Sequence, residues 1–205
     1  HLALLDALGI ENCNLYGHST GGIIISHMLT MAPERFGKVL MLDPVSPLGL
    51  QMNSSQVGVI TAMKTDPDVC FAGLASAAPT LFRPETMVAG QMPQFADATS
   101  PAQRELFKKI VERTRVLSDG IWFGTPHNLG LEWDSGALAK RMPEMTHEHL
   151  ILFGKMDYWI PREHLDVMAE KLPNAKLEIF PYVGHSMNLE QPLLFARVFG
   201  DYFRT

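Results

Sequence analysis

Apolar positions alternate between two rhythms at both ends of the chain and lose that alternation in the middle. Leu2, Leu4, Leu5 and Leu8 recur at helical spacing and stop at Gly9, a residue suited to ending a helix. Cys13-Asn14-Leu15-Tyr16 predicts a short strand, and the run from Ile23 to about Met31 predicts a helix that Pro33 closes. Lys38-Val39-Leu40-Met41-Leu42-Asp43 predicts a second strand, stopped by Pro44. Continuous apolar strands separated by helices imply a parallel sheet covered on both faces. From about residue 48 to 146 strand signals vanish, and the clearest element is a helix over 102–117. That stretch is too long for a plain loop, so an inserted helical segment is expected. The alternation then returns, with a strand over 149–153, a helix over 162–172, a strand over 175–180 and a last helix over 192–203.

Composition narrows the function classes. The 205 residues suffice for one domain with a substantial core, and 46% hydrophobic with 19% charged residues is ordinary for a globular protein. The net charge is −5 and no Lys/Arg-dense run occurs, which argues against nucleic acid or anionic membrane as a partner. No apolar stretch is long enough to span a bilayer. Cys13 and Cys70 form neither a disulfide framework nor a metal spacing. Two free thiols suit a reducing, cytoplasmic compartment, with Cys13 expected in a buried strand. The helical pattern begins at His1 itself, as if the chain started within a domain.

The chemistry centres on Gly17-His18-Ser19-Thr20-Gly21, a G-x-S-x-G pattern between a predicted strand and a predicted helix. A sharp turn there would strain the serine backbone and lift its Oγ clear of the sheet at a helix N-terminus. A nucleophilic serine needs a base, and a histidine base needs an acid to hold its tautomer. In a parallel sheet both should follow strand C-termini. Asp157 follows the strand over 149–153, and His185 follows the strand over 175–180, in the order acid then histidine. Asp43, which also ends a strand, is the rival acid. The backbone N–H of Thr20 is a candidate oxyanion donor, while a second donor would come from a loop after an earlier strand, which this sequence lacks. His18 is expected to be structural. The remaining histidines have no ligand-like spacing, so neither a metal nor a cofactor is expected.

Three stretches carry a family resemblance: Asp6-Ala7-Leu8-Gly9-Ile10, Leu15-Tyr16-Gly17-His18-Ser19-Thr20-Gly21-Gly22 and Ala32-Pro33-Glu34-Arg35-Phe36. They look like the nucleophile-elbow region of α/β-hydrolases, and Gly154 to Asp157 and Gly184-His185 resemble that superfamily's acid and histidine loops. The resemblance implies Ser19 as nucleophile, Asp157 as acid, His185 as base and Thr20 as oxyanion donor. It also implies an α/β core over 1–47 and 147–205, the C-terminal half of the family's parallel sheet, with residues 48–146 as an inserted helical cap. Such a half sheet would leave an apolar edge, so instability, self-association or pairing with a missing N-terminal piece is expected. Serine at the elbow implies acyl transfer to water, from an ester, thioester or related bond. Carbon–carbon bond hydrolysis, acyltransfer to another acceptor, or a non-catalytic ligand-binding role are the alternatives. The methionines of the 48–146 stretch suggest a small, apolar substrate, with Trp122 and His127 as candidate pocket residues.

Overall fold

The computed structural model describes residues 1–204. A short helix α1 (Leu2–Ala7) leads into strand β1 (Cys13–His18), helix α2 (Gly21–Met31) and strand β2 (Phe36–Leu42). A helical segment follows: α3 (Ser54–Thr65), α4 (Pro67–Ser76), α5 (Pro101–Arg115), a π-helical turn over Gly120–Gly124, α6 (Thr125–Ser135) and α7 (Ala137–Lys140). The chain then returns through β3 (His149–Gly154), α8 (Arg162–Lys171), β4 (Ala175–Phe180), α9 (Met187–Glu190) and α10 (Pro192–Arg204). The strands form one parallel sheet in the order β1-β2-β3-β4.

The inner strands explain the unbroken apolar runs. Val39, Leu40, Met41 and Leu42 of β2 and Ile151 and Leu152 of β3 are fully buried. Successive side chains of a strand face opposite ways. Val39, Met41, Ile151 and Phe153 therefore join a core with residues of α2 and α8, whereas Leu40, Leu42, Leu150 and Leu152 meet the aromatic face of α10. Cys13 departs from expectation: it is only partly buried, because β1 is an edge strand with a neighbour on one side. β1 also runs two residues past Tyr16, which carries the strand up to the serine turn.

The helical segment has its own apolar cluster. Phe71, Phe82, Phe95 and Phe107 pack edge-on or stacked around one another, with Met63, Cys70 and Trp122 beside them. Leu189 of α9 also belongs to this cluster, so the segment leans on the loop region that follows β4. Leu129, Leu138, Met142 and Met145 instead join the core under the sheet.

His149 opens β3 in full burial; its Nδ1–H donates to the His147 carbonyl at 2.7 Å, and Nε2 is buried without a partner among the described residues. Burial pushes its pKa down to about 4. An unfolded histidine takes its proton near pH ~6.5, so His149 contributes stability that is present above that value and lost as the pH falls through about 4. The unfolding free energy from urea titrations is expected to drop between pH 7 and pH 4, with a smaller drop in His149→Gln. Equal slopes in both proteins would contradict this.

Candidate active site

The turn after β1 is strained where the sequence pattern places the serine. Ser19 has φ +56°, a left-handed conformation rare for a residue with a side chain. Three backbone bonds hold it there. Ser19 N–H donates to the Leu42 carbonyl at 3.1 Å, and the Ser19 carbonyl accepts from Val45 at 2.8 Å and Gly22 at 3.0 Å. Gly22 passes so close to Pro44 that a Cβ would overlap the proline ring. The turn is thus clamped between its own helix and the loop leaving β2. Thr20 is the N-cap residue of α2, so its N–H lies at the helix N-terminus, where unpaired donors favour negative charge.

Two further strand ends deliver an acid and an imidazole. Asp157 lies in the loop after β3 and His185 in the loop after β4, and His185 Nδ1–H donates to Asp157 Oδ2 at 2.8 Å. Both residues are buried. The other Asp157 oxygen accepts from the amides of Trp159 at 2.6 Å and Ile160 at 3.3 Å. These bonds orient the carboxylate and keep its charge satisfied away from water. With the Nδ1 proton committed to Asp157, the neutral ring presents Nε2 as its acceptor. The two loops meet at Gly154, where a Cβ would collide with the Gly184 carbonyl.

His18 ties the serine turn to this pair. Its Nε2–H donates to the His185 carbonyl at 2.7 Å, and the two rings lie 4.8 Å apart. Burial, then the neighbouring His185 ring, push His18 down to about 4, so it is neutral at pH 7. Among the described residues no hydrogen bond joins Ser19 itself to His185.

Asp43, the rival acid, falls on the same spot. It is fully buried, and its Oδ1 accepts from the Gly154 amide at 2.8 Å. Asp43, Asp157 and His185 each bring a ligand-type atom within 4.8 Å of the others. The Nδ1–Oδ2 bond already uses one donor–acceptor pair of that group. Of the two candidate pocket residues, Trp122 is packed into the helical cluster, its indole N–H buried without a partner among the described residues, and His127 is exposed on α6.

Two site residues were absent from the sequence reading. Glu190, buried in α9, accepts from the Gly184 amide at 2.9 Å and the Ser186 amide at 3.3 Å, on either side of His185. Its other oxygen accepts from Thr80 N–H at 3.1 Å and Thr80 Oγ1 at 2.6 Å, so one carboxylate ties the helical segment to the histidine loop. Burial raises its pKa, and these four bonds oppose the rise. Trp159 stacks on the His185 ring with centroids 5.8 Å apart and donates its indole N–H to Ser76 of α4 at 3.0 Å. The only sequence signal for either was closeness: Trp159 is two residues from Asp157, and Glu190 is five residues beyond His185.

A family profile described as the alpha/beta hydrolase family matches residues 1–198. The RutD protein of Pseudomonas savastanoi pv. phaseolicola, whose name proposes a carbamate hydrolase, is 26% identical over 98% of this chain and 71% of its own length. A 2-hydroxy-6-oxo-6-phenylhexa-2,4-dienoate hydrolase from Burkholderia cepacia is 23% identical over 97% of this chain and 65% of its own length. The chain thus spans about two thirds of the length of such relatives. Among solved structures, serine hydrolase CCSP0084 from Cycloclasticus zankles superposes with a TM-score of 0.70 at 20% identity, over 99% of this chain and 68% of that one. With the profile match running through the sheet and the helical segment alike, the chain belongs to the alpha/beta hydrolase family.

Proposed function

We propose that this protein is a serine hydrolase that cleaves an ester, thioester or related acyl bond of a small, apolar substrate. The observation that carries the reading is the buried 2.8 Å bond between Asp157 and His185, one loop away from a serine held at φ +56°. In this reading Ser19 Oγ attacks the substrate carbonyl while His185 Nε2 takes its proton. Asp157 keeps the Nδ1 proton and stabilises the imidazolium that forms. The Thr20 N–H donates to the developing oxyanion. The histidine then returns the proton to the leaving group, and water releases the acyl group from Ser19 by the same steps in reverse order.

The helical segment would act as the cap over this site. Its Met63, Met87, Phe71 and Trp122 belong to one apolar cluster, which suits an apolar acyl or aromatic group. Carbon–carbon bond cleavage is a second reading, favoured by the name of the Burkholderia cepacia relative. The apolar free side of β1 is the proposed place for pairing with another strand.

Three outcomes follow from this reading. A fluorophosphonate probe should label Ser19 in the protein and leave Ser19→Ala unlabelled; labelling that persists in Ser19→Ala would sink the nucleophile assignment. Steady-state kinetics of Ser19→Ala should show kcat lower by about 10⁴-fold or more. Glu190→Ala, which frees both amides flanking His185, should lower kcat by about tenfold or more with a smaller change in KM, whereas Glu190→Gln should recover part of that loss. Unchanged kcat in Glu190→Ala would remove the positioning role.

A further inference from the structure

One buried acid takes no part in the chemistry above. Asp43 follows β2, Asp157 follows β3 and His185 follows β4, so three neighbouring strand ends converge on one point. Ligand-type atoms of all three residues lie within 4.8 Å of one another. Asp43 is held there under strain, at φ +40°, with its Oδ1 on the Gly154 amide. Its Oδ2 is buried and has no hydrogen-bond partner among the described residues. A bare carboxylate oxygen in that position would be costly, whereas a protonated one is a neutral O–H.

We propose that Asp43 is a second acid of the site: it stays neutral while Asp157 carries the charge, and it becomes the anionic partner of His185 when Asp157 is neutralised. This rests on the Ser19, His185 and Asp157 reading given above. Two carboxyl groups this close share one charge more cheaply than they hold two. The hydrogen bonds decide where it resides. Asp157 accepts from two amides and the His185 ring, Asp43 from one amide.

The surroundings keep Asp43 protonated. Burial, then the Asp157 charge, push it up to about 9, and the Gly154 amide only partly opposes this. Glu190 of α9 adds to the rise, and Tyr16 of β1 is itself pushed up to about 12 by burial and by Asp43. With Asp157 neutral, its repulsion of a charged Asp43 disappears. The imidazolium formed as Ser19 gives up its proton would then face the Asp43 carboxylate. Asp43 is a positioning and charge-compensating residue in this scheme.

The test compares kcat/KM of Asp157→Asn and of Asp157→Asn/Asp43→Asn for an activated ester between pH 6 and pH 10. Asparagine keeps an acceptor for the Gly154 amide, so the double variant changes charge more than packing. Asp157→Asn should retain activity that rises with pH as Asp43 ionises, and the double variant should be about tenfold or more slower at the alkaline end without that rise. Equal rates at every pH would overturn the proposal. Ser19→Ala serves as the base line: if it turned over like the wild type, the nucleophile reading would fail instead. A second measurement needs no Asp157 variant. Infrared spectra of the wild type should show a buried protonated carboxyl at pH 7 that Asp43→Asn lacks, and its absence from the wild type would equally overturn the proposal.

Discussion

The site depends on one close approach between backbones. The loop leaving β3 passes so near the loop leaving β4 that Gly154 has no room for a side chain against the Gly184 carbonyl. That approach brings Asp157 within hydrogen-bond reach of His185 and seals both from water. A larger residue at 154 would part the loops, and hydrogen-bond strength falls steeply with added distance and poorer angles. The same glycine donates its amide to Asp43, so the loop leaving β2 is registered on the same contact. Three strand ends are thereby locked to one another through a single backbone position.

The fourth strand end is tied in differently. The serine turn is bonded to the β2 exit through Leu42 and Val45, and His18 fastens it to the His185 carbonyl. Glu190 then couples the histidine loop to Thr80 of the helical segment. A shift of the segment would pull on the loop that carries the imidazole. The placement of the histidine loop is therefore mechanically linked to the helical segment, which matters because an error of about 1 Å in a catalytic group can cost about 100-fold in rate.

Much of this was legible in the sequence, for a physical reason. Strands buried on both faces need unbroken apolar runs, so β2 and β3 announce themselves, and β4 was bounded correctly over Ala175–Phe180. The serine turn was legible because Gly17 passes so close to the Gly21 backbone that no side chain would fit there. Less legible were features set by tertiary contact. Cys13 looked like a core residue because composition does not reveal which strand is at an edge. Asp43 and Asp157 looked like competitors for one role, since chain order cannot say that two strand ends converge within 4.8 Å. Glu190 carried no pattern of its own, because its worth lies in four donors drawn from Thr80, Gly184 and Ser186.

The central claim is that the buried Asp157–His185 pair makes Ser19 the atom that receives the acyl group. Rapid-quench mass spectrometry during turnover of a slow ester tests it most directly. The account predicts an acyl mass on the peptide containing Ser19, formed and lost at rates that support turnover. Product formation with that peptide unmodified throughout, or with the acyl group on another residue, would contradict it.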